Sequence, residues 1–246
     1  MNEIIVDKLT KKYKRNIGIF DISFTLKTGE VFGFLGPNGA GKTTTIRHLM
    51  GFCRPQQGNV IIRGMESYKN NSNILKFVGY LPGEISLPDS LSGWEFIRMM
   101  QALRKCKNEE RLNYLLEKFD LDPNINTKKM SMGTKRKLAI VTAFMSDPDI
   151  LILDEPTSGL DPLMQERFVS FIKEEKQRGK TIFLSSHIFS EVDATCDRIA
   201  IVKDGRIVST FIADELKHNK NKTFVLEFST KESMDKFLAL SFDIAY

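Results

Sequence analysis

One short segment of the chain has the residue types and spacing of a loop that binds the phosphates of a nucleotide. Its glycines allow positive φ angles and a close approach of the backbone, so that backbone N–H groups can point at the phosphates. Lys42 adds a positive charge near the β and γ phosphates, and the Thr43 hydroxyl can complete the shell of a Mg²⁺ ion. The alternative is a glycine-rich turn that binds nothing. The segment, called the P-loop below, consists of Gly36, Pro37, Asn38, Gly39, Ala40, Gly41, Lys42, Thr43 and Thr44.

Two adjacent carboxylates, Asp154 and Glu155, could supply the rest of a hydrolytic site. They follow an apolar run at residues 150–153, which is a Walker B pattern. Asp154 would stand at the carboxyl end of a strand, where ligands bind in open α/β sheets, and could hold Mg²⁺. Glu155 would then accept a proton from an attacking water. An exposed turn is the other interpretation, and the apolar run before the pair favours the functional one.

A histidine, His187, follows the apolar run at residues 181–184 after two serines. A single histidine in such a place is more often structural. If the three strands lie side by side, however, their ends bring Lys42, the Asp154–Glu155 pair and His187 to one crevice. We therefore expect His187 to contact the γ-phosphate.

These residues need strands to position them, and the hydrophobic pattern predicts those strands. A buried strand at residues 31–35 precedes the P-loop and a helix at residues 42–50 follows it, which is the context that the motif requires. The runs at residues 150–153 and 181–184 are typical of parallel central strands, with a helix at residues 162–178 between them. Further strands are predicted at residues 3–9, 18–26, 59–62, 198–202 and 206–210.

The pattern becomes helical between residues 90 and 146, where Leu112, Leu115, Leu116 and Phe119 share one helix face. We therefore predict an α/β fold: a P-loop NTPase core with a mostly parallel sheet, an antiparallel β subdomain and an inserted α-helical subdomain. The main domain is expected to span residues 1–218. After a polar linker, residues 219–246 are expected to begin a small C-terminal β-α-β extension that the end of the chain cuts short.

The composition is that of a soluble globular protein, with 246 residues, 41% hydrophobic and 27% charged. The chain has no apolar run long enough to span a membrane and no signal-peptide pattern, so we expect it in the cytosol. Cys53, Cys106 and Cys196 are far apart and are expected to be reduced thiols. The net charge of +5 is compatible with nucleic acid or an anionic membrane surface as a partner. The favoured interpretation is that the basic residues form a solvated face beside a nucleotide site.

In order and spacing, these motifs resemble the ATP-binding subunits of ABC transporters. The resemblance covers about residues 3–217 and includes the P-loop, the Walker B pair, Ser158-Gly159-Leu160-Asp161 and Ser185-Ser186-His187. It implies that two subunits sandwich two ATP molecules head to tail. Each ATP site then uses the P-loop of one chain and the signature motif of the other.

The family's signature usually reads Leu-Ser-Gly-Gly-Gln, and the matching residues, called the signature segment below, are Met130-Ser131-Met132-Gly133-Thr134. Ser131 is a good N-cap for the helix predicted at residues 133–144, whose start would face the partner's γ-phosphate. Ser131 and Gly133 are retained, whereas Met132 and Thr134 depart from the pattern. An ordinary capped helix is the alternative.

Two further positions follow from the resemblance. Tyr13 matches the aromatic residue that stacks on adenine, although it could be a surface tyrosine among lysines. Gly83 stands where the family usually has a glutamine that contacts Mg²⁺ and senses the membrane partner. Glu84 could replace that glutamine, or it could be a solvated loop carboxylate.

The expected function is therefore an ATPase motor, with ATP and Mg²⁺ as cofactors, that drives a separate integral-membrane permease, most similar to drug and bacteriocin exporters. Its second nucleotide-binding subunit would be the same chain or a different one. The motor would lie in the cytoplasm at the inner face of the cell membrane, and no nucleic acid is expected as a partner. The alternative is a soluble P-loop ATPase that acts in cofactor assembly or on nucleic acid.

Overall fold

A computed structural model describes residues 1–14, 17–213 and 230–231 of the chain. The strands are β1 (Asn2–Lys14), β2 (Ile17–Lys27), β3 (Val31–Leu35), β4 (Gln57–Ile62), β5 (Met65–Glu66), β6 (Val78–Leu81), β7 (Ile150–Asp154), β8 (Thr181–Ser186), β9 (Arg198–Lys203) and β10 (Arg206–Ile212). The helices are α1 (Lys42–Leu49), α2 (Ser67–Ile74), α3 (Gly93–Arg104), α4 (Glu109–Lys118), α5 (Met132–Phe144), α6 (Pro162–Gln177) and α7 (Phe189–Thr195), with a 3₁₀ turn at Thr127–Lys129. In these ranges, no helix is both long and apolar enough to cross a membrane.

The central sheet contains six strands in the order β10-β9-β3-β8-β7-β6. All its neighbouring pairs are parallel except the β9–β10 hairpin. Strand β8 lies between β3 and β7, so the three strands that were predicted to carry the motifs are neighbours. The predicted α/β class and the parallel arrangement are confirmed, and the carboxyl ends of β3, β7 and β8 share one edge.

An antiparallel sheet in the order β2-β1-β4-β5 covers one face of the central sheet. Phe24 of β2 joins the two sheets, because its ring stacks on Phe32 and Phe183 with centroid distances of 5.2 and 5.6 Å. The predicted antiparallel β subdomain is thus confirmed. Together with α1, it buries one apolar cluster against the central sheet.

A second apolar cluster fills the opposite face of the central sheet, where residues of α4, α5 and α6 pack. Strand β7 contributes to both clusters, since Leu151 and Leu153 lie in this one and Ile150 and Ile152 lie in the other. Such alternation is the expected period of a strand that is buried on both faces. It fixes the register of β7 and hence the position of Asp154 at its end.

Local signals explain where the helices begin. Ser92 and Glu95 form a reciprocal capping box at the start of α3. Asp161 accepts a hydrogen bond from the Met164 amide at 2.9 Å, and Pro162 occupies the first turn of α6. These caps place the helices that the sequence predicts between residues 90 and 178.

The structure differs from the sequence prediction in some elements. Strand β1 continues five residues beyond the predicted end at residue 9, because a bulge near Lys8, whose φ is 48°, interrupts the alternation of apolar residues. Strand β6 and helices α2 and α7 were not predicted. The predicted C-terminal β-α-β extension at residues 219–246 lies outside the described residues, apart from residues 230–231.

Candidate functional site

The P-loop connects β3 to α1, and its backbone passes very close to neighbouring backbone atoms. A Cβ atom on Gly36 would lie 2.3 Å from the Val202 carbonyl oxygen, so only glycine fits there. Gly41 takes a φ of 102° at the start of α1, a conformation that favours glycine. No side chain caps this helix start, so its N–H groups are free to face an anion. The loop therefore has the geometry that the motif predicts for phosphate binding.

Lys42 is almost buried, with 5% of its surface exposed. Its ammonium group donates hydrogen bonds to the carbonyl oxygens of Gly36 at 2.7 Å and Pro37 at 3.1 Å. The same nitrogen lies 3.1 Å from Oε1 of Glu155. The cation is thus folded over the loop and paired with the carboxylate that the sequence predicts as the base.

Asp154 is fully buried at the end of β7. Its Oδ2 accepts a hydrogen bond from the Thr43 hydroxyl at 2.8 Å, and its Oδ1 accepts one from the Ser185 hydroxyl at 2.6 Å. Desolvation by burial raises the pKa of this carboxyl, against the lowering effect of both hydrogen bonds. A divalent cation at this point would favour the charged form.

The pair formed by Thr43 and Asp154 fits a magnesium ion, because both offer the oxygen atoms that Mg²⁺ prefers. In the described part of the chain, no group of three or more histidine, cysteine, aspartate or glutamate residues could hold a metal by itself. A Mg²⁺ ion here would therefore take its remaining ligands from phosphate oxygens and water.

Glu155 has an unusual backbone, with a φ of 45°. This left-handed conformation costs a non-glycine residue roughly 1–2 kcal/mol. The Glu155 amide donates to both the carbonyl and the hydroxyl oxygen of Ser185, each at 3.1 Å, and these bonds hold the conformation. The strained turn points the carboxylate back across the sheet edge towards Lys42 and His187.

His187 follows β8 and is exposed, with 45% of its side chain accessible. Its Nδ1 lies 3.3 Å from Oε2 of Glu155. The preceding residue anchors the turn, because the Ser186 hydroxyl donates to Glu191 at 2.5 Å and accepts from the Ile188 amide at 2.9 Å. Burial raises the pKa of the Glu191 carboxyl.

The structure thus brings Lys42, Thr43, Asp154, Glu155 and His187 into one connected group at the edge of the central sheet. The predicted convergence of the three strand ends is found. What each residue does there remains a prediction.

Tyr13 lies near the end of β1 with 52% of its surface exposed. Its neighbour Lys12 pairs with Gly18, whose carbonyl oxygen is 3.7 Å from the Cβ position of Gly41. This end of β1 therefore borders the P-loop, and an exposed ring beside the loop is what adenine stacking would require.

Ser131 and Gly133 lie apart from this group. The Ser131 hydroxyl oxygen accepts a hydrogen bond from the Thr134 amide at 3.1 Å and lies 2.9 Å from the Thr134 hydroxyl, so Ser131 caps α5 as predicted. A Cβ atom on Gly133 would lie 3.1 Å from the Gly159 carbonyl oxygen. Within the described ranges, no hydrogen bond or ion pair joins Ser131 or Gly133 to the P-loop.

Gly83 lies against the buried carboxylate, since a Cβ atom there would be 3.1 Å from Oδ2 of Asp154. The next residue, Glu84, is exposed. Sequence reasoning did not assign a role to two further residues at the site. Ser185 lies inside a quoted motif and could have been found there, whereas Arg136 gave no signal in the sequence.

Comparison with known proteins gives consistent results. A protein-family model described as "ABC transporter" matches residues 19–158. An uncharacterized ABC transporter ATP-binding protein of Bacillus subtilis, YhcH, is 35% identical over 222 residues, which cover 89% of this chain and 73% of that protein. The bacitracin transport ATP-binding protein BcrA of Bacillus licheniformis is 33% identical over 96% of this chain and 78% of its own length. A solved structure titled as the ATP-binding subunit of an ABC transporter superposes with a TM-score of 0.80 at 30% identity, covering 87% of this chain and 91% of that one.

Proposed function

Because this chain belongs to the ABC transporter family as an ATP-binding ATPase subunit, we propose that it is the motor of an exporter. Two nucleotide-binding subunits, which are two copies of this chain or this chain and a second one, close around ATP and drive separate integral-membrane permease subunits. The motor works at the inner face of the cell membrane. The observation that carries this proposal is the connected group formed by Lys42, Glu155 and His187 beside the P-loop.

In this proposal, the cationic group of Lys42 leaves Glu155 and binds the β and γ phosphates of ATP. The hydrogen bonds to the Gly36 and Pro37 carbonyl oxygens and the ion pair of 3.1 Å support this assignment, because they hold the ammonium group against the loop that would bind those phosphates. Thr43 and Asp154 would hold Mg²⁺, which would supply positive charge against the phosphates. Tyr13 stacks on the adenine ring.

Hydrolysis then depends on Glu155 and His187. Once Lys42 has turned to the phosphates, the Glu155 carboxylate is free to accept a proton from the attacking water. His187, at the end of β8, contacts the γ-phosphate. Its Nδ1 lies within hydrogen-bonding distance of the same Glu155 carboxylate. The strained backbone of Glu155 keeps the base at the edge of the sheet, where the water must sit.

The second half of each site comes from the partner subunit. Ser131 and Gly133 lie apart from the P-loop of their own chain, and the free N–H groups at the start of α5 can face the γ-phosphate bound by another chain. Residues 1–218 form this motor domain, with residues 90–146 as its helical part.

The direction of transport is proposed from the relatives. BcrA is named as a bacitracin transport protein and matches almost the full length of this chain. This relationship favours a membrane transporter over a soluble ATPase of cofactor assembly or nucleic acid. Export is favoured by a second relative, the linearmycin resistance ATP-binding protein LnrL of Bacillus subtilis, which is 31% identical over 98% of this chain, because removal of an antibiotic from the cell confers resistance. The transported substrate is set by the permease, because the motor site contacts only nucleotide.

A substitution of Lys42 tests the site. Lys42→Ala should abolish binding of a fluorescent ATP analogue, because no other cation of the P-loop can reach the β and γ phosphates. Lys180→Ala is the matched control, since Lys180 is also a buried, ion-paired lysine but bonds to Asp147 instead. An unchanged dissociation constant in the Lys42→Ala protein would contradict the proposed site.

A further inference from the structure

Arg136 is a buried arginine whose partners are backbone carbonyl groups. It lies in α5, has 3% of its surface exposed, and donates to the Pro82, Gly83 and Ser158 carbonyl oxygens at 2.9, 2.6 and 3.0 Å. Desolvation by burial lowers the pKa of this guanidinium, while the charges of Asp154 and Glu155 act in the opposite direction. The hydrogen bonds of the guanidinium thus go to the backbone of the loops rather than to the two carboxylates.

The first two carbonyl groups belong to the loop after β6. This loop touches the predicted metal ligand, because the Cβ position of Gly83 is 3.1 Å from Oδ2 of Asp154. Gly83 has no side chain with which to contact the site. At position 83, a link to the rest of the protein therefore has to run through the backbone, and Arg136 binds that backbone.

The third carbonyl group belongs to the turn after β7. The Ser158 amide donates to the Glu155 carbonyl at 3.1 Å, so Ser158 closes the turn that begins with the predicted base. Arg136 holds the other end of this turn through the Ser158 carbonyl. One side chain of α5 thus binds two loops that lie on either side of the carboxylates.

The shape of arginine suits this arrangement. A guanidinium group presents five N–H donors in a planar fork and can hold several carbonyl groups at fixed angles. Here each carbonyl group binds a different guanidinium nitrogen, Nε, Nη1 or Nη2, whereas a lysine has all its donors on one nitrogen.

We propose that Arg136 is a positioning residue for ATP hydrolysis: it ties α5, which carries the signature segment, to the two loops that flank Asp154 and Glu155. A shift of α5 on the approach of a second subunit is then transmitted to the carboxylates through one guanidinium group. This proposal rests on the proposed function. In it, the hydrogen bonds from Arg136 to the Pro82 and Gly83 carbonyl oxygens take the place of the contact that a side chain at position 83 would otherwise make.

The test compares Arg136→Met and Arg136→Lys with Arg111→Met. Arg111 is the matched control, because only 10% of its side chain is exposed and it joins α4 to Glu175 of α6 at 2.8 Å rather than to the loops beside Asp154 and Glu155. We expect Arg136→Met to lower kcat by about tenfold or more, the usual effect of losing a residue that orients a metal or its ligands. The dissociation constant of an ATP analogue should stay close to the wild-type value, because the P-loop is untouched. Arg136→Lys should give an intermediate kcat, and Arg111→Met should lower the Tm but keep kcat.

Hydrogen exchange of the nucleotide-free protein supplies a readout that does not need turnover. In Arg136→Met, the amides of residues 83–87 and 157–160 should exchange faster, and those of α1 should not. Arg111→Met should leave both loops protected.

Each remaining outcome decides the matter. The proposal is overturned if Arg136→Met keeps the wild-type kcat, or if both loops stay protected. It is also overturned if the Arg136 and Arg111 variants lose activity in the same proportion to their loss of Tm. If Arg136→Met does not fold, Arg136→Lys is judged by the same criteria. A wild-type chain that binds ATP but never hydrolyses it would refute the proposed function, and the exchange data would still show whether Arg136 holds the loops.

Discussion

The ion pair between Lys42 and Glu155 makes a quantitative prediction for Glu155→Gln. Oε1 of Glu155 lies 3.1 Å from the Lys42 ammonium, and Oε2 lies 3.3 Å from Nδ1 of His187. Glutamine keeps the size of the side chain and one acceptor oxygen but removes the negative charge. The substitution therefore weakens the contact that ATP must displace, and it removes the proposed base.

The expected magnitudes follow from these contacts. A hydrogen bond to a charged group contributes about 1.5–3 kcal/mol, and one with a neutral acceptor contributes roughly half as much. Lys42 should thus be held less tightly by about 1 kcal/mol, which lowers the dissociation constant for ATP about fivefold. Turnover should fall by about 10²–10⁴, the usual contribution of general acid–base catalysis.

Three measurements check this prediction. Calorimetry with Mg²⁺ gives the affinity for a non-hydrolysable ATP analogue, phosphate release gives turnover, and light scattering gives the oligomeric state. With ATP, Glu155→Gln should run as a dimer, and without ATP as a monomer. Adding Ser131→Arg should restore the monomer, because a bulky side chain would stand where the partner's γ-phosphate must sit. Glu84→Gln is the matched control, since Glu84 is an exposed carboxylate of the neighbouring loop.

The reasoning would be refuted by a Glu155→Gln protein that binds the analogue more weakly than wild type or hydrolyses ATP at a similar rate. An oligomeric state that ignores ATP would contradict the sandwich arrangement for two copies of this chain. An equal gain in affinity in Glu84→Gln would show that general charge, rather than the contact with Lys42, sets the affinity.

Two further predictions concern adenine and pH. Tyr13→Ala should weaken ATP binding by about tenfold or more, because a stacked base contributes roughly 1–3 kcal/mol. Tyr13→Phe keeps the ring and should bind ATP normally. If calorimetry shows an unchanged affinity in Tyr13→Ala, Tyr13 is a surface residue that does not stack on adenine. The raised pKa of the buried Glu191 carboxyl means that the folded state holds this proton more tightly than the unfolded state does. Its contribution to stability is therefore fully present below the pKa of the unfolded chain and is lost as the pH rises through the raised value. Glu191→Gln should remove this loss, so its Tm should exceed that of wild type increasingly as the pH rises above the ordinary glutamate pKa of 4.5. Parallel Tm curves of the two proteins would contradict the assignment.

The nucleotide site could be predicted from the sequence because its parts are local. The P-loop and the Asp154–Glu155 pair each follow an apolar run, and parallel strands place such segments at one edge of a sheet. The structure shows the expected neighbours, with β8 between β3 and β7. Burial on both faces gives these strands continuous apolar sequences that are easy to identify.

Other features could not be predicted, because they depend on distant parts of the chain. Arg136 binds carbonyl groups that lie 53 and 54 residues before it, and no local pattern marks such partners. Strand β6 contains Gly79, which lowers its strand propensity. The structure shows why glycine stands there, since a Cβ atom would lie 2.5 Å from the Ala143 carbonyl oxygen of α5. Tertiary packing thus overrides the local preference.

Because Ser131 is separated from the P-loop of its own chain, the rate of ATP hydrolysis in the cell should depend on assembly of the subunits. On the proposed assignment, each chain holds one half of two different sites, so a chain that meets no second subunit cannot complete either. The specific activity of the free chain then rises with its concentration. A permease that holds two motors side by side raises their effective concentration to the millimolar range. Unassembled chains would hydrolyse little ATP, and the total rate of ATP hydrolysis would follow the number of assembled transporters.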